Sequence, residues 1–366
     1  MFYNVLLLFI FILLIFFKFI FKQSNKVKII FLSLIGILLG LVSALRFELK
    51  GDFYANYIGF VTASKMGFFE IYKEYDEFSN VYLRKIISLI TDDPQWYFAI
   101  TGFFIVTSFL VFIYKYSPNV YLSVMIFFTI GGYFTSHNIT RQYIAVAICL
   151  YAFSYLISRN PIKYFSLIFI AITFHTSAVV MIPLYFLVKI RINLKIVLLY
   201  FILITFGAFL YDFLAPLIHS LIYSDSYIEV GYGTEGASIY NILLPLFLLT
   251  FLLYIYYIKK ESLYSEIPFD IALSKRNFLI NTLLHMGFLS FLIMILSVTN
   301  MLILSRLSNY FMISYLIIIP MAINYSSKKL KPLFYFVVIV ILVTYFLVSN
   351  YLGKLTPDIY VPFWSI

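Results

Sequence analysis

Arg46, Arg141 and Arg306 each stand at the edge of an apolar stretch of the chain. Guanidinium forks bind phosphate oxygens in pairs, so several of them aimed at one cavity would hold a diphosphate. The plainer role for any one of them is a long side chain reaching to lipid phosphates. His175 lies inside an apolar stretch, flanked by Thr173, Thr176 and Ser177. An ionisable group at membrane depth is costly and marks a site by default. A neutral imidazole can also take a proton from a hydroxyl near pH 7. Its competing role is to satisfy backbone groups freed at a helix break. Asp52 follows Gly51 in Arg-Phe-Glu-Leu-Lys-Gly-Asp-Phe-Tyr-Ala-Asn-Tyr. Glycine permits a tight turn there, and the carboxylate would orient or deprotonate a substrate hydroxyl. The alternative is a turn-forming Asp bonded to its own backbone.

Other chemistry is missing from the sequence. His137 precedes Arg141 by one helical turn but reads more simply as an exposed turn residue; His219 and His285 read as structural. The glycines of Gly231-Tyr232-Gly233-Thr234-Glu235-Gly236 neither follow a strand nor open a helix, so they are no nucleotide fingerprint. There is no HExxH, P-loop, GxSxG or D-x-D sequence, and the single Cys149 excludes an internal disulfide and a thiolate cage. The expectation is a protein with no metal and no cofactor.

The elements that position these residues follow from composition. Of 366 residues, 63% are hydrophobic and only 11% charged, against about 25% charged in soluble domains. That excludes a soluble globular protein, a disordered chain and an ordinary nucleic-acid reader; a bilayer must solvate the apolar surface. Ten runs are long enough to cross, at roughly 2–17, 29–45, 97–114, 120–136, 141–158, 193–211, 239–258, 277–299, 307–325 and 332–350. They are continuously apolar and not alternating, so they read as helices and not as barrel strands. The N-terminus lacks a basic region and a small-residue cleavage site, which makes it an uncleaved first span. The fold class is therefore an all-α polytopic membrane protein. It has about ten full spans in a single integral-membrane domain, 1–366.

Residues 164–188 need a separate argument. As one helix they would run ~37 Å, long for a crossing. If they cross once, every later basic loop falls outside. If they enter and return, breaking near His175, then 17 of the 26 Lys and Arg lie in the cytoplasm and 9 outside. Cytoplasmic loops collect Lys and Arg, so the sequence predicts a broken or re-entrant pair there. Both termini are then external, as are loops at about 46–96 and 212–238. The first loop is amphipathic and suits helices lying at the interface. Arg46, Arg141 and Arg306 all fall on the external side.

Taken in order, several of these stretches resemble one family. Arg46, Gly51-Asp52, Tyr54 and Tyr57 resemble the opening element of the EpsG-like family of Wzy-type polysaccharide polymerases. Arg141-Gln142-Tyr143, Phe174-His175-Thr176-Ser177-Ala178, Ser305-Arg306 with Tyr310-Phe311, and Val361-Pro362-Phe363 resemble its later elements. The resemblance implies a glycosyltransferase-type repeat-unit polymerase of the bacterial cytoplasmic (inner) membrane. Its substrates would be a polyprenyl-diphosphate-linked glycan donor and acceptor, and its product an O-antigen, capsule or exopolysaccharide chain. It implies His175 and Asp52 as catalytic residues, and Arg46, Arg141, Arg306, Tyr54 and Tyr310 as diphosphate and substrate contacts. It also implies the lipid bilayer, a chain-length regulator and a flippase as partners, and no nucleic acid. The competing functions are a lipid-linked oligosaccharide flippase or exporter, and a membrane acyltransferase that modifies the glycan.

Overall fold

The computed structural model describes the backbone of residues 2–47, 52–74, 77–130, 132–222, 240–264, 271–297, 302–352 and 361–362. Within those ranges the side chains of 52, 72–74, 208, 211–222, 240–241, 260–264, 271–274, 302–305 and 361–362 lie outside the description. Helix dominates, as a chain immersed in lipid requires.

α1 (Phe2–Phe19) and α2 (Asn25–Ala44) are joined by a polar turn. Ser24 caps α2 by accepting from the Val27 amide at 3.3 Å, and the Gln23 amide donates to the Phe17 and Lys18 carbonyls at 3.0 Å. The two-residue strand β1 (Arg46–Phe47) follows. Three short helices then lie where the sequence predicts a long amphipathic loop: α3 (Asp52–Lys65), α4 (Phe68–Glu74) and α5 (Phe78–Ser88). α6 (Gln95–Tyr116), α7 (Val120–Thr129), α8 (Gly132–Asn138) and α9 (Thr140–Ile157) come next. α10 (Pro161–Phe174) opens on an Asn160 cap with proline in its first turn. A 3-10 turn (Thr176–Val180) leads to α11 (Met181–Leu187). The remaining helices are α12 (Leu194–Ile222), α13 (Tyr240–Tyr264), α14 (Ile271–Ser297), α15 (Leu302–Met312), α16 (Tyr315–Tyr325) and α17 (Lys331–Tyr351). Strand β2 (Val361–Pro362) pairs antiparallel with β1, placing Arg46 opposite Pro362.

Over their described residues the ten apolar runs are helical, but for their ends and the breaks at 130 and 313–314. Among the described residues seven helices are long and apolar enough to span, and nine spans result if each bent pair counts once. The bent pairs are α7 with α8, and Arg306–Met312 with Tyr315–Tyr325 at 42°. The tenth run lies in α12, which continues to Ile222, past the start of the predicted loop at 212. Residues 223–239, the rest of that loop, lie outside the described residues.

The chain divides into two compact units, residues 1–183 with 319–366, and residues 184–318. In the first unit α9 is buried along its length, with Ala145, Ala147, Cys149, Ala152, Phe153 and Leu156 all inaccessible. α2 and α6 pack at close range because glycine allows it: a Cβ on Gly40 would overlap the Phe103 ring, and one on Gly102 would come within 2.6 Å of the Ser43 Cβ. Small residues serve this purpose in lipid, where van der Waals packing replaces the hydrophobic drive. In the second unit Asn281 donates to the Val188 and Ile190 carbonyls at 2.9 and 3.0 Å and accepts from the Ile192 amide at 3.0 Å. His285 meets the Tyr200 hydroxyl at 2.6 Å and the Ile190 carbonyl at 2.8 Å. Both of its ring nitrogens are occupied, which makes it a structural histidine.

Residues 164–188 break at His175, whose backbone is extended (φ −157°, ψ 118°). The Tyr164 hydroxyl donates to the Met181 carbonyl at 2.6 Å. In a straight helix these residues would stand ~26 Å apart, so the chain doubles back after His175.

The first unit has two distinct ends. At one, Asn350 on α17 donates to Asn4 on α1 at 2.7 Å, and Arg46 donates to the His137 carbonyl at 3.2 Å. At the other, Lys18 stands 3.9 Å from the Tyr335 ring centroid, Tyr121 donates to Gln23 at 2.8 Å, and Lys115 donates to Ser154 at 2.8 Å.

Candidate functional site

Glu77 is the residue around which the site is built. It stands at the N-cap of α5, yet its side chain makes no cap bond. Its Oε2 instead accepts from Arg141 Nη1, in the first turn of α9, at 2.8 Å. Its Oε1 accepts from the Thr176 amide at 3.1 Å and lies 3.6 Å from His175 Nδ1. One carboxylate thus gathers two stretches of chain, 64 and 99 residues away. The side chains are half-buried, with Glu77 and His175 19% exposed and Arg141 36%. Next to them Ser79 donates to Thr173 at 2.7 Å, fastening α5 to the end of α10.

The His175 ring has a defined role at the break. Nδ1 accepts from the Ser177 amide at 3.3 Å and meets the Ser177 hydroxyl at 2.8 Å. A backbone N–H can only donate, so in the neutral ring Nδ1 is the acceptor and Nε2 carries the proton. The imidazole therefore caps the 3-10 turn and keeps a donor on its other nitrogen.

Behind Arg141 a cavity of about 270 Å³ opens between α3 and α5. Asn56, Gly59 and Thr62 on α3 line it, with Arg84 from α5 and Arg141 from α9. Arg84 Nη2 donates to Asn56 Oδ1. Tyr97 donates to Asn80 at 2.8 Å and presents its ring 5.2 Å from the Arg84 guanidinium.

Arg46 occupies a separate setting. It is 3% exposed, with its guanidinium 5.6 Å from the Phe98 ring centroid. Beside it Ser43 Oγ meets His137 Nε2 at 2.9 Å and Tyr133 donates to the Leu39 carbonyl at 2.8 Å. Gln95 donates to the Ala44 and Arg46 carbonyls, at 2.5 and 2.9 Å. His137, which the sequence suggests is exposed, is buried here, because α8 tucks it against α2.

The other predicted residues are placed as follows. Asp52 opens α3 one turn before Asn56; its side chain lies outside the description. Tyr54 is exposed on the same helix. Arg306 is exposed on α15 and Tyr310 is fully buried one turn later; both belong to the second unit. Arg46, Arg141 and His175 all stand at one end of the first unit. Sequence reasoning missed Glu77, Arg84 and Asn56. Their only signal was a charged loop between two spans, and nothing in local spacing points from Glu77 to Arg141. Among the described residues no group of His, Cys, Asp and Glu could hold a metal ion.

Comparison with known proteins adds one finding. The model of the EpsG family matches residues 28–359, which take in the whole Glu77 cluster, the cavity, Arg46 and Arg306. No curated protein and no solved structure matches the chain.

Proposed function

The chain belongs to the EpsG family of Wzy-type polysaccharide polymerase-like proteins, and from that premise we propose that it joins polyprenyl-diphosphate-linked repeat units into a surface polysaccharide. The reaction would take place on the outer side of the bacterial cytoplasmic membrane, with both termini external. The observation that carries this reading is the convergence of Arg141 and His175 on Glu77, at the same end of the first unit as Arg46.

In such a transfer a hydroxyl of the acceptor glycan attacks the anomeric carbon of the donor. The bond from that carbon to the carrier diphosphate breaks, and the hydroxyl proton passes to a base. Charge develops on the departing diphosphate, where fixed donors act most strongly. Arg46 and Arg141 supply guanidinium donors for it. His175, with its proton on Nε2, supplies a further donor. The task of base then falls to Asp52, one turn from the cavity-lining Asn56 on α3. Within the second unit, taken by itself, Arg306 with Tyr310 would offer substrate contacts. The donor is already activated, so neither nucleotide nor metal is needed.

Deleting the gene and resolving the surface glycan by electrophoresis tests this reading. A polymerase leaves single repeat units on the lipid carrier. Little or no surface glycan would identify a flippase, and full-length chains lacking a substituent would identify an acyltransferase; either result overturns the reading.

A further inference from the structure

Arg84 takes no part in the transfer just described, yet the molecule goes to some length to keep it. It is 8% exposed. Its partners among the described residues are both neutral: the Asn56 side-chain oxygen and the Tyr97 ring. Its Nε has no hydrogen-bond partner, and among the described residues no carboxylate pairs with it. A buried cation without a counter-charge is costly, and buried charges are normally paired. Space for it is nonetheless reserved by Gly59, since a Cβ there would fall on Arg84 Nη1. Position 59 is mid-helix, where glycine is less favourable than alanine. That cost is understandable if the guanidinium must lie where it does.

Arg84 lines the cavity together with Arg141, Asn56 and Thr62. Arg141 is paired with Glu77 and Arg84 with no carboxylate among the described residues, so of the two guanidinium groups on the cavity wall Arg84 carries the unbalanced charge. The cavity volume, about 270 Å³, is below the ~300–1,000 Å³ of pockets for drug-sized ligands. It holds one ring and not a length of chain. Amide, hydroxyl and guanidinium groups are its polar lining, which suits a hydroxylated ring that carries an oxyanion.

We propose that this cavity binds an oxyanion carried on a ring-sized unit of the lipid-linked glycan, with Arg84 as its principal ligand and Arg141 as the second. This rests on the polymerase reading for the identity of the glycan, not for the binding itself. The oxyanion has two sources: the carboxylate of an acidic sugar, or a phosphate of the carrier. A site of the first kind would make the enzyme choose repeat units by an acidic residue.

The test uses the full chain purified in detergent, titrated with glucuronate, glucose and inorganic diphosphate while thermal unfolding is followed. Glucuronate should raise the unfolding midpoint and glucose should not. A rise with diphosphate alone would assign the site to the carrier phosphate. Arg84→Gln should weaken the binding at least ~10-fold, the lower value for a hydrogen bond to a charged group. Gly59→Ala, which leaves Arg84 in the sequence but displaces it, should do the same. Lys115→Gln, at the opposite end of the first unit, removes one positive charge and should leave the affinity unchanged. The proposal is overturned if no anion shifts the midpoint, or if wild type, Arg84→Gln and Gly59→Ala respond alike. Should Arg84→Gln not accumulate, the Gly59→Ala titration decides. Because binding is read without chain elongation, it succeeds or fails separately from the polymerase reading.

Discussion

Arg46 and Arg141 stand at the same end of the first unit, but their surroundings differ in kind. Arg141 is 36% exposed and already holds a carboxylate at 2.8 Å. Arg46 is 3% exposed, and two of its three guanidinium nitrogens, Nε and Nη1, have no hydrogen-bond partner among the described residues. Its backbone is fixed by the β1–β2 ladder and by Gln95. An unpaired buried charge on a fixed backbone is organised before any substrate arrives, and such donors stabilise a developing anion without reorganising. A charge paired to a half-exposed carboxylate must first be shared or released. In the proposed transfer the two arginines would therefore contribute unequally: Arg46 chiefly to the charge that grows on the leaving diphosphate, Arg141 more to positioning that group.

The sharpest way to break this contrast is to keep charge and remove the fork. Arg46→Lys should cut chain elongation by ~10²–10³, the loss typical of one oxyanion donor, because lysine is a point charge that cannot bind in two prongs. Arg141→Lys should fall at the lower end of that range, since its ammonium can still pair with Glu77. Both are read from the glycan ladder at matched protein levels. A larger defect in Arg141→Lys than in Arg46→Lys would reverse the assignment of duties, and wild-type ladders from both would leave Arg141 a headgroup anchor and Arg46 a structural ion.

Glu77→Gln tests the paired side of the contrast. It keeps size and one acceptor for the Thr176 amide but removes the counter-charge of Arg141. A hydrogen bond to a charged group contributes ~1.5–3 kcal/mol, and partial exposure lowers that, so elongation should fall about 10-fold. The decisive measurement is the double variant Glu77→Gln with Arg141→Gln. Residues in one ion pair are not additive, so the double variant should be no worse than Arg141→Gln alone. Two fully multiplied defects would mean that Glu77 acts independently of Arg141.

How much of this was legible beforehand depends on range along the chain. The spans were legible because apolar composition is a local signal; the ten runs are helical over most of their described residues, and seven to nine spans follow from them. So was the break at His175, since 25 residues make a long crossing and the charge distribution favoured a return. The helices α3, α4 and α5 matched the amphipathic loop for the same local reason. The bend between α15 and α16 was not legible, because no proline or glycine stands there; Ser314 turns its hydroxyl back to the Phe311 carbonyl at 2.8 Å instead. Nor was the division into two units, because both are made of identical-looking apolar helix. In the site, Arg46, Arg141 and His175 stood out as charges out of place. Glu77 and Arg84 sit among other charges in a polar loop, where nothing local distinguishes a buried ion from a solvated one. Their meaning comes from partners as far as 99 residues away, which only the fold supplies.

The last expected effect, no larger than that of Glu77→Gln, concerns His175, whose Nδ1 accepts at the break and whose Nε2 carries the proton. The two nitrogens can be separated by substitution. Asn places its side-chain oxygen near the position of Nδ1 and is among the best helix-capping residues, so His175→Asn keeps the bond from the Ser177 amide and loses the Nε2 donor. Gln reaches further, to the region of Nε2, and keeps a donor there while weakening the cap. If the imidazole serves only the break, His175→Asn should elongate normally and His175→Gln should accumulate poorly. If its proton on Nε2 assists the departing diphosphate, His175→Asn should insert at normal levels and elongate some 10-fold more slowly, because one neutral donor contributes less than a charged fork. His175→Gln would then lose only a few-fold, since an amide N–H replaces the ring N–H. The expected outcome is the second pattern. A glycan ladder beside a membrane immunoblot for both variants reads it. A defect of ~10²–10⁴ in both variants, with normal protein levels, would instead restore the histidine as a general base, since neither amide can accept a proton from the attacking hydroxyl.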